Sequence, residues 1–176
     1  MKNLLLLFAT LFVLTCCEKD DDSPKKPIDQ LPPATQTGAN TAGCLVNGEA
    51  FLPKGNLRNR LVCYYIDGKD FNISIGEKIN DRIKSLNVIS YNQDLVVGET
   101  YQLKDYGANS KFGEFIIYNP DFNEINYITN STFKGELKIT SHNFEKAIIS
   151  GTFWFDAVNS AGEKVEVREG RFDMEY

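Results

Sequence analysis

The chain changes its pattern of apolar and polar positions twice. A largely apolar run covers residues 4–14, a polar stretch follows, and short apolar or aromatic runs then recur between turn residues. Within these runs apolar and polar side chains alternate, as at Phe71, Ile73 and Ile75. A period of two indicates strands with one buried face, so the pattern predicts a single β domain over residues 43–176.

Turn residues separate the predicted strands. Asn47-Gly48 and Asp67-Gly68 each lie between two apolar runs, and such pairs suit two-residue hairpin turns with positive φ at the central positions. No segment shows a sustained helical repeat. We therefore expect an all-β antiparallel fold, a β-sandwich or flattened barrel of about eight to ten strands.

In the last predicted strand, the apolar residues shift from odd-numbered to even-numbered positions. Val165 and Val167 are apolar at odd positions, whereas Phe172 and Met174 are apolar at even ones. One extra residue must therefore enter the strand between them. Gly170 is the expected site of this β-bulge, with the glycine supplying positive φ.

Residues 1–16 have the features of an export signal. A lysine near the start, a short apolar run and small residues at the end suit a cleaved segment, whereas a spanning helix needs about 20 apolar residues. A short membrane anchor or a buried N-terminal helix is the alternative. Leu14-Thr15-Cys16-Cys17 resembles the lipobox of bacterial lipoproteins, which implies cleavage before Cys17 and acylation of that residue, with Cys16 as the second choice.

The residues after Cys17 are strongly acidic. Their composition describes a solvated charge run beside the anchor. The run Glu-Lys-Asp-Asp-Asp at 18–22 also resembles the export tag of Bacteroidetes lipoproteins that reach the outer face of the outer membrane. This resemblance implies an export role for Lys19, Asp20, Asp21 and Asp22, and it also favours Cys17 as the acylated residue.

Residues 23–42 predict a disordered tether. Four of the six prolines lie there, and large apolar side chains are almost absent. Such a segment buries too little surface to offset the entropy of ordering it. Residues 17–22 are then the lipidated cysteine and tag, and residues 43–176 the folded domain.

Composition excludes several classes of function. The formal net charge is −5 and there is no basic cluster, so nucleic acid is not an expected partner. The single histidine, His142, lies in a Ser-His-Asn segment that is typical of an exposed turn. With one histidine and no Cys-x-x-Cys motif, neither a catalytic triad, a metal site nor a cofactor site is expected.

Cys44 and Cys63 remain within the predicted domain. Export to an oxidising compartment permits a disulfide between them, which would stabilise the fold by about 3 kcal/mol. Both also lie in strand patterns, where free thiols would pack as small apolar side chains. The sequence leaves both alternatives open.

Three aromatic side chains lie on the less apolar face of their strands: Trp154, Tyr64 and Tyr118. Exposed aromatic residues on a flat sheet stack on ligands such as sugar rings, which makes these three candidate ligand-stacking residues. The alternative, favoured by two-layer packing, is that another sheet covers this face.

The C-terminal segments ISGTFWFDA at 149–157 and VEVREGRFD at 165–173 resemble the closing hairpin of uncharacterised Bacteroidetes outer-membrane lipoproteins. The resemblance implies a cellular location and a fold, but no particular activity. We therefore expect a non-enzymatic, lipid-anchored module at the cell surface. It would be held to the membrane by acyl chains on Cys17 and would bind a glycan, a peptide or another outer-membrane protein.

Two other functions remain open at this point. A lipocalin-like carrier would hold an apolar small molecule in an internal cavity of several hundred cubic ångströms. A glycan-active enzyme would need two carboxylates facing each other in a cleft.

Overall fold

The computed structural model describes residues 24–66 and 69–176. The predicted signal segment, Cys17, the acidic tag and the Asp67-Gly68 turn lie outside the described residues. Within the described ranges, no helix has the length and apolarity needed to cross a membrane.

The described residues form eleven strands and one short 3-10 helix at Pro27–Gln30, which confirms the all-β antiparallel fold, with one strand more than the largest number expected. The strands are β1 (Thr41–Val46), β2 (Glu49–Phe51), β3 (Leu61–Ile66), β4 (Asp70–Ile79), β5 (Arg82–Ser90), β6 (Thr100–Leu103), β7 (Lys111–Tyr118), β8 (Glu124–Ile128), β9 (Gly135–Asn143), β10 (Ile148–Val158) and β11 (Lys164–Glu175).

The strands form one continuous sheet that folds over on itself. We call β2-β1-β11-β10-β9-β6 the front half and β8-β7-β5-β4-β3 the back half. Between the strands themselves a single residue pair, Val158 of β10 with Ile128 of β8, joins the two halves. Lys54, just after β2, forms an isolated bridge with Glu77 of β4. The strand order ends at β2 on one side and β3 on the other, so the sheet is not closed.

The core lies between the two halves. Phe71 of β4 meets Phe172 of β11 with ring centroids 5.6 Å apart, and Phe51 of β2 meets Phe115 of β7 at the same separation. The ring of Phe155 packs directly against Gly113. A Cβ at this position would lie 2.6 Å from a ring carbon, so only glycine leaves enough space. Close packing of large rings thus fills the space between the halves.

The hairpin between β1 and β2 follows the sequence prediction. Asn47 has φ 50° and Gly48 has φ 84°, the two positive values that a type I′ turn requires. The Asn47 side-chain oxygen also accepts a hydrogen bond from the Glu166 backbone N–H at 2.8 Å. This turn is therefore fixed both by its own conformation and by β11.

The segment before β1 differs from the predicted tether. Leu31 is buried, and four residues donate hydrogen bonds to Asp173 of β11: Thr35, Thr37, Gly38 and Ala39. We call residues 31–40 the strap. The prediction of disorder considered only how much apolar surface the segment could bury. It missed that the polar groups of the segment donate hydrogen bonds to one buried carboxylate. The ordered domain therefore begins earlier than residue 43.

Candidate functional site

The three candidate stacking residues occupy different parts of the surface. Trp154 faces outward from β10 and is 38% exposed, and Tyr118 at the end of β7 is 39% exposed. Tyr64 is half-buried on the outer face of the back half. No second sheet formed by the described residues covers Trp154 or Tyr118, so the covered-face alternative is wrong for them. The structure does not bring the three together into one site.

Trp154 lies in a groove of about 600 Å³ on the outer face of the front half. We call it the Trp154 groove. Its floor follows two rows of paired residues, Glu136 with Trp154 and Lys138 with Thr152. The strap contributes one wall through Ala34, and the middle of β11 contributes another through residues 168–171. The groove is therefore built on strands at its floor and bordered by the segment expected to be a tether.

A β-bulge in β11 lies directly opposite Trp154. Phe153 pairs with Gly170 and Phe155 pairs with Val167, so Trp154 faces two residues, Arg168 and Glu169. The bulge expected near Gly170 is thus confirmed.

The residue with positive φ differs from the expectation: it is Glu169, at 56°. Gly170 serves another purpose, because a Cβ there would lie 2.4 Å from two ring carbons of Phe153. The glycine is needed for this close approach, and the neighbouring glutamate takes the strained conformation.

The guanidinium of Arg168 is held beside the indole. Its Cζ lies 5.6 Å from the Trp154 ring centroid, within the range of a cation–π contact. Its Nη2 donates to Asp156 Oδ1 at 2.6 Å, and its Nη1 donates to the Phe155 carbonyl at 3.1 Å. These contacts fix the orientation of a side chain that would otherwise be flexible at the surface.

The edge of the indole is also held. Trp154 Nε1 donates to Glu136 Oε2 at 3.2 Å, and Gln102 Nε2 donates to the other oxygen of Glu136 at 2.9 Å. On the far side of the groove, Arg171 pairs with Glu169 at 3.3 Å. Lys138 is exposed and has no ion-pair partner among the described residues. The groove thus combines a fixed aromatic surface with both signs of charge.

Asp173 anchors the strap that forms one wall of the groove. The residue is 1% exposed. It accepts hydrogen bonds from the hydroxyls of Thr35, Thr37 and Ser150 and from the backbone N–H groups of Thr37, Gly38 and Ala39. Burial alone would raise the pKa of this carboxyl, but the hydrogen bonds outweigh it and hold the pKa well below its usual range.

Tyr64 and Tyr118 belong to separate surfaces of the back half. Burial, together with the nearby Tyr91 and Asp70, raises the pKa of Tyr64. Burial, together with Glu124 and Glu114, raises the pKa of Tyr118. Neither tyrosine lines the groove that contains Trp154.

His142 is not in an exposed turn, so that prediction is wrong. β9 continues through it, because His142 pairs with Ile149 of β10. The ring is half-buried and stacks on Phe144 at 3.9 Å, and its Nε2 lies 3.0 Å from the Tyr176 hydroxyl. Burial lowers the pKa of His142. Its role here is packing within an aromatic cluster.

Cys44 and Cys63 are both free thiols in the structure, so the disulfide alternative is not the one observed. The two residues pair with different neighbours: Cys44 lies opposite Phe51, and Cys63 lies opposite Ile73. Burial raises the pKa of the Cys63 thiol to about 12 and raises that of Cys44 as well. Among the residues that the structure describes, no group of three or more His, Cys, Asp and Glu side chains could hold a metal ion.

Comparison with known families gives one match. The model of a domain of unknown function (DUF6252) matches residues 71–174, more than half of the chain. The chain belongs to this family. A search of curated proteins and a search of solved structures find no significant match. The DUF6252 region contains Trp154, the bulge and Asp173, whereas the strap and β1 to β3 lie before it.

Sequence reasoning found Trp154 but missed its neighbours. Nothing local marks Glu136, Arg168 or Asp173 as special, because each gains its role from a partner on another strand or in the strap. One signal was present: the parity change in the last strand indicated where the sheet would bulge, and Arg168 lies at that bulge.

Proposed function

We propose that the chain is a non-enzymatic binding module, anchored by acyl chains on Cys17 at the outer face of the outer membrane, and that the Trp154 groove binds a carbohydrate. The observation that carries the binding proposal is the exposed indole, which is held by Glu136 at its edge and flanked by Arg168. An aromatic surface fixed before binding loses little side-chain entropy when a ligand stacks on it.

The chemistry of the groove suits a sugar ring. The C–H groups of a pyranose carry a small positive charge and are attracted to the negative face of an indole. The ring hydroxyls can donate to carboxylates such as Glu136 and accept from guanidinium groups such as Arg171. Lys138, unpaired among the described residues, is free to attract a carboxylate or sulfate group, so we expect acidic glycans to bind more tightly than neutral ones.

A binding role fits the groove better than glycan cleavage. Glycoside hydrolysis uses two carboxyl groups, one of which must donate a proton. In the groove, Glu136 is engaged by Trp154 and Gln102, and Glu169 is engaged by Arg171. Both carboxylates thus serve to position neighbouring side chains.

The interior gives no support to the lipocalin-like carrier. Such a protein needs a cavity between its sheets. Here the space between the two halves is filled by fully buried side chains, among them Phe71, Ile73 and Phe155. We therefore place the binding site on the outer face.

Binding to carbohydrate is tested with immobilised polygalacturonate, heparin and dextran. We expect the purified full chain to bind one of the two acidic polymers, and Trp154→Ala to weaken that binding at least tenfold. Tyr118→Ala is the matched control, because Tyr118 is equally exposed on the other half; it should bind as the wild type does. Retention of binding by a folded Trp154→Ala protein would refute the groove as the site.

The anchor and the address are tested separately in cells. Cys17→Ser should abolish incorporation of a labelled fatty acid, whereas Cys16→Ser should leave it intact. Protease added to intact cells should then remove the domain, and replacing Asp20, Asp21 and Asp22 with asparagine should protect it. A domain that is cleaved only after the outer membrane is broken would refute the surface location.

A further inference from the structure

A second groove, of about 740 Å³, lies where the sheet fails to close. One wall is the start of β1, at Thr41 and Ala42, and another is Leu61 at the start of β3 with Arg60 just before it. Met174 of β11 also lines the groove. We call this groove the seam. It is distinct from the Trp154 groove, with which it shares no lining residue.

β3, whose first residue Leu61 lines the seam, has no strand on its second edge among the described residues. The Arg60 carbonyl accepts from the Gly76 N–H, so even-numbered residues of β3 are the ones hydrogen-bonded to β4 in the antiparallel pairing. The N–H and C=O groups of Leu61 and Cys63 therefore point away from β4. No hydrogen bond joins them to another described residue. These groups form a template on which another strand can be added.

β3 lacks the usual protection of an edge strand. The other two ends of the sheet are short, with three residues in β2 and four in β6, whereas β3 has six. Its sequence, LVCYYI, contains no charge and no proline. Edge strands of soluble proteins are normally blunted by such residues or kept short. The unpaired backbone groups of Leu61 and Cys63 thus have the features that a strand-binding site requires.

Two arginines give the seam its charge. Arg58 and Arg60 both line it, both are exposed, and neither has an ion-pair partner among the described residues. Arg168 and Arg171 at the Trp154 groove are paired with carboxylates. The remaining lining includes apolar side chains such as Leu61 and Met174.

We propose that the seam binds an extended acidic segment of a partner protein, which adds to β3 as a further strand. The backbone of the segment would pair with Leu61 and Cys63, acidic side chains would pair with Arg58 and Arg60, and alternate apolar side chains would enter the groove. Charge complementarity selects this occupant over a basic or neutral segment. The proposal does not depend on carbohydrate binding at Trp154.

The test uses the full chain purified in detergent and three labelled probe peptides. The first alternates Glu with Val, the second replaces each Glu with Lys, and the third is the acidic peptide N-methylated at alternate residues so that one edge cannot donate hydrogen bonds. Fluorescence anisotropy should show binding of the first peptide, with affinity at least tenfold weaker for the other two. Hydrogen-exchange mass spectrometry should show new protection in residues 61–66.

Charge reversal tests whether Arg58 and Arg60 bind the acidic side chains of the peptide. Arg58→Glu with Arg60→Glu should weaken binding of the acidic peptide at least tenfold, whereas Arg82→Glu, at an exposed arginine of β5, should leave it unchanged. Equal binding of all three peptides, or protection outside β3, would overturn the proposal.

Two other occupants have their own signatures. A dimer that dissociates on charge reversal at Arg58 and Arg60 would show that a second copy occupies the seam, and would overturn the proposal. Tenfold tighter peptide binding after replacement of Asp20, Asp21 and Asp22 with asparagine would show that the chain's own acidic run occupies it, with the same consequence. Unchanged affinity in that variant and a monomeric chain support the partner segment.

Discussion

Replacing Asp173 with asparagine should release the strap and destabilise the domain. The carboxylate accepts hydrogen bonds from six donors, three backbone N–H groups and three hydroxyls. Asparagine has nearly the same shape, but one of its two acceptor oxygens becomes an NH₂ donor. The substitution therefore tests the hydrogen bonds with little change in packing.

The magnitude follows from counting the donors that lose an acceptor. If the amide oxygen replaces Oδ2, then Gly38 N–H and the Ser150 hydroxyl lose theirs. The hydroxyl can rotate and accept from the new NH₂ group, but the Gly38 N–H then faces another donor. A buried donor without an acceptor costs about 1–3 kcal/mol, and loss of the charge weakens the remaining bonds. We expect a total loss of about 2–4 kcal/mol, or roughly 5–15 °C in Tm.

The loss should depend on pH. An unfolded aspartate has a pKa of about 3.9, and the hydrogen bonds lower the pKa of Asp173 in the folded state. Its stabilising contribution is thus complete above about pH 5 and is lost as the pH falls below 4 toward the folded pKa. The difference in free energy of unfolding between the wild type and Asp173→Asn should shrink over the same range.

Urea unfolding from pH 3 to pH 7 measures this difference, with Asp29→Asn as the control, because Asp29 is exposed and lies in the 3-10 helix. Hydrogen exchange adds a local test: the amides of Thr37, Gly38 and Ala39 should lose protection before the strands do. A variant within 1 °C of the wild type, or a difference that is constant with pH, would refute the role assigned to Asp173.

Three further outcomes are expected. Gly170→Ala should destabilise the domain by about 1–3 kcal/mol in urea unfolding, because its Cβ would overlap the Phe153 ring, whereas Gly107→Ala, with no neighbouring atom closer than 3.9 Å, should change it by less than about 0.5 kcal/mol. Asn47→Ala should cost about 1–2 kcal/mol through its positive φ and the lost bond to Glu166, and Asn47→Gly less, because glycine tolerates that φ. Cys44 and Cys63 should resist iodoacetamide at pH 8 until urea unfolds the chain, because burial raises both thiol pKa values; peptide mass spectrometry detects the label.

The strands were predictable because the alternation of apolar and polar residues within each one indicates which side chains are buried. In β9, Leu137 and Ile139 are fully buried while Lys138 between them is exposed, as the alternation indicates. The Asn47-Gly48 turn is equally local, since both residues tolerate the positive φ that the turn needs. Such features depend on neighbouring positions in the chain and need no knowledge of distant contacts.

The bulge shows where local reasoning stops. The parity change between Val167 and Phe172 required one extra residue, and the structure contains it. Assigning positive φ to Gly170 was reasonable, because glycine adopts it most easily. The choice between Gly170 and Glu169 is made instead by the ring of Phe153, which needs the space that only glycine leaves. That contact is set by packing across the sheet.

The strap was unpredictable for a related reason. Its anchor, Asp173, follows it by more than 130 residues in the chain. A composition rule evaluates what a segment can bury by itself, and by that measure residues 31–40 should stay disordered. These residues are ordered by the hydrogen bonds that they donate to the buried carboxylate of Asp173.

The two features that break local rules both border the Trp154 groove. Glu169 holds a left-handed backbone conformation that costs a non-glycine residue about 1–2 kcal/mol, and the bulge places two charged residues opposite one tryptophan. Asp173 is a buried charge, and it orders the strap whose Ala34 lines the groove. A regular β11 and an apolar residue at 173 would give a plain sheet without the guanidinium at Trp154 or the strap wall. The bulge also keeps Val167 and Phe172 together on the core face, and Asp173 also stabilises the domain through the strap. The same two departures from local rules thus serve the fold and shape the groove.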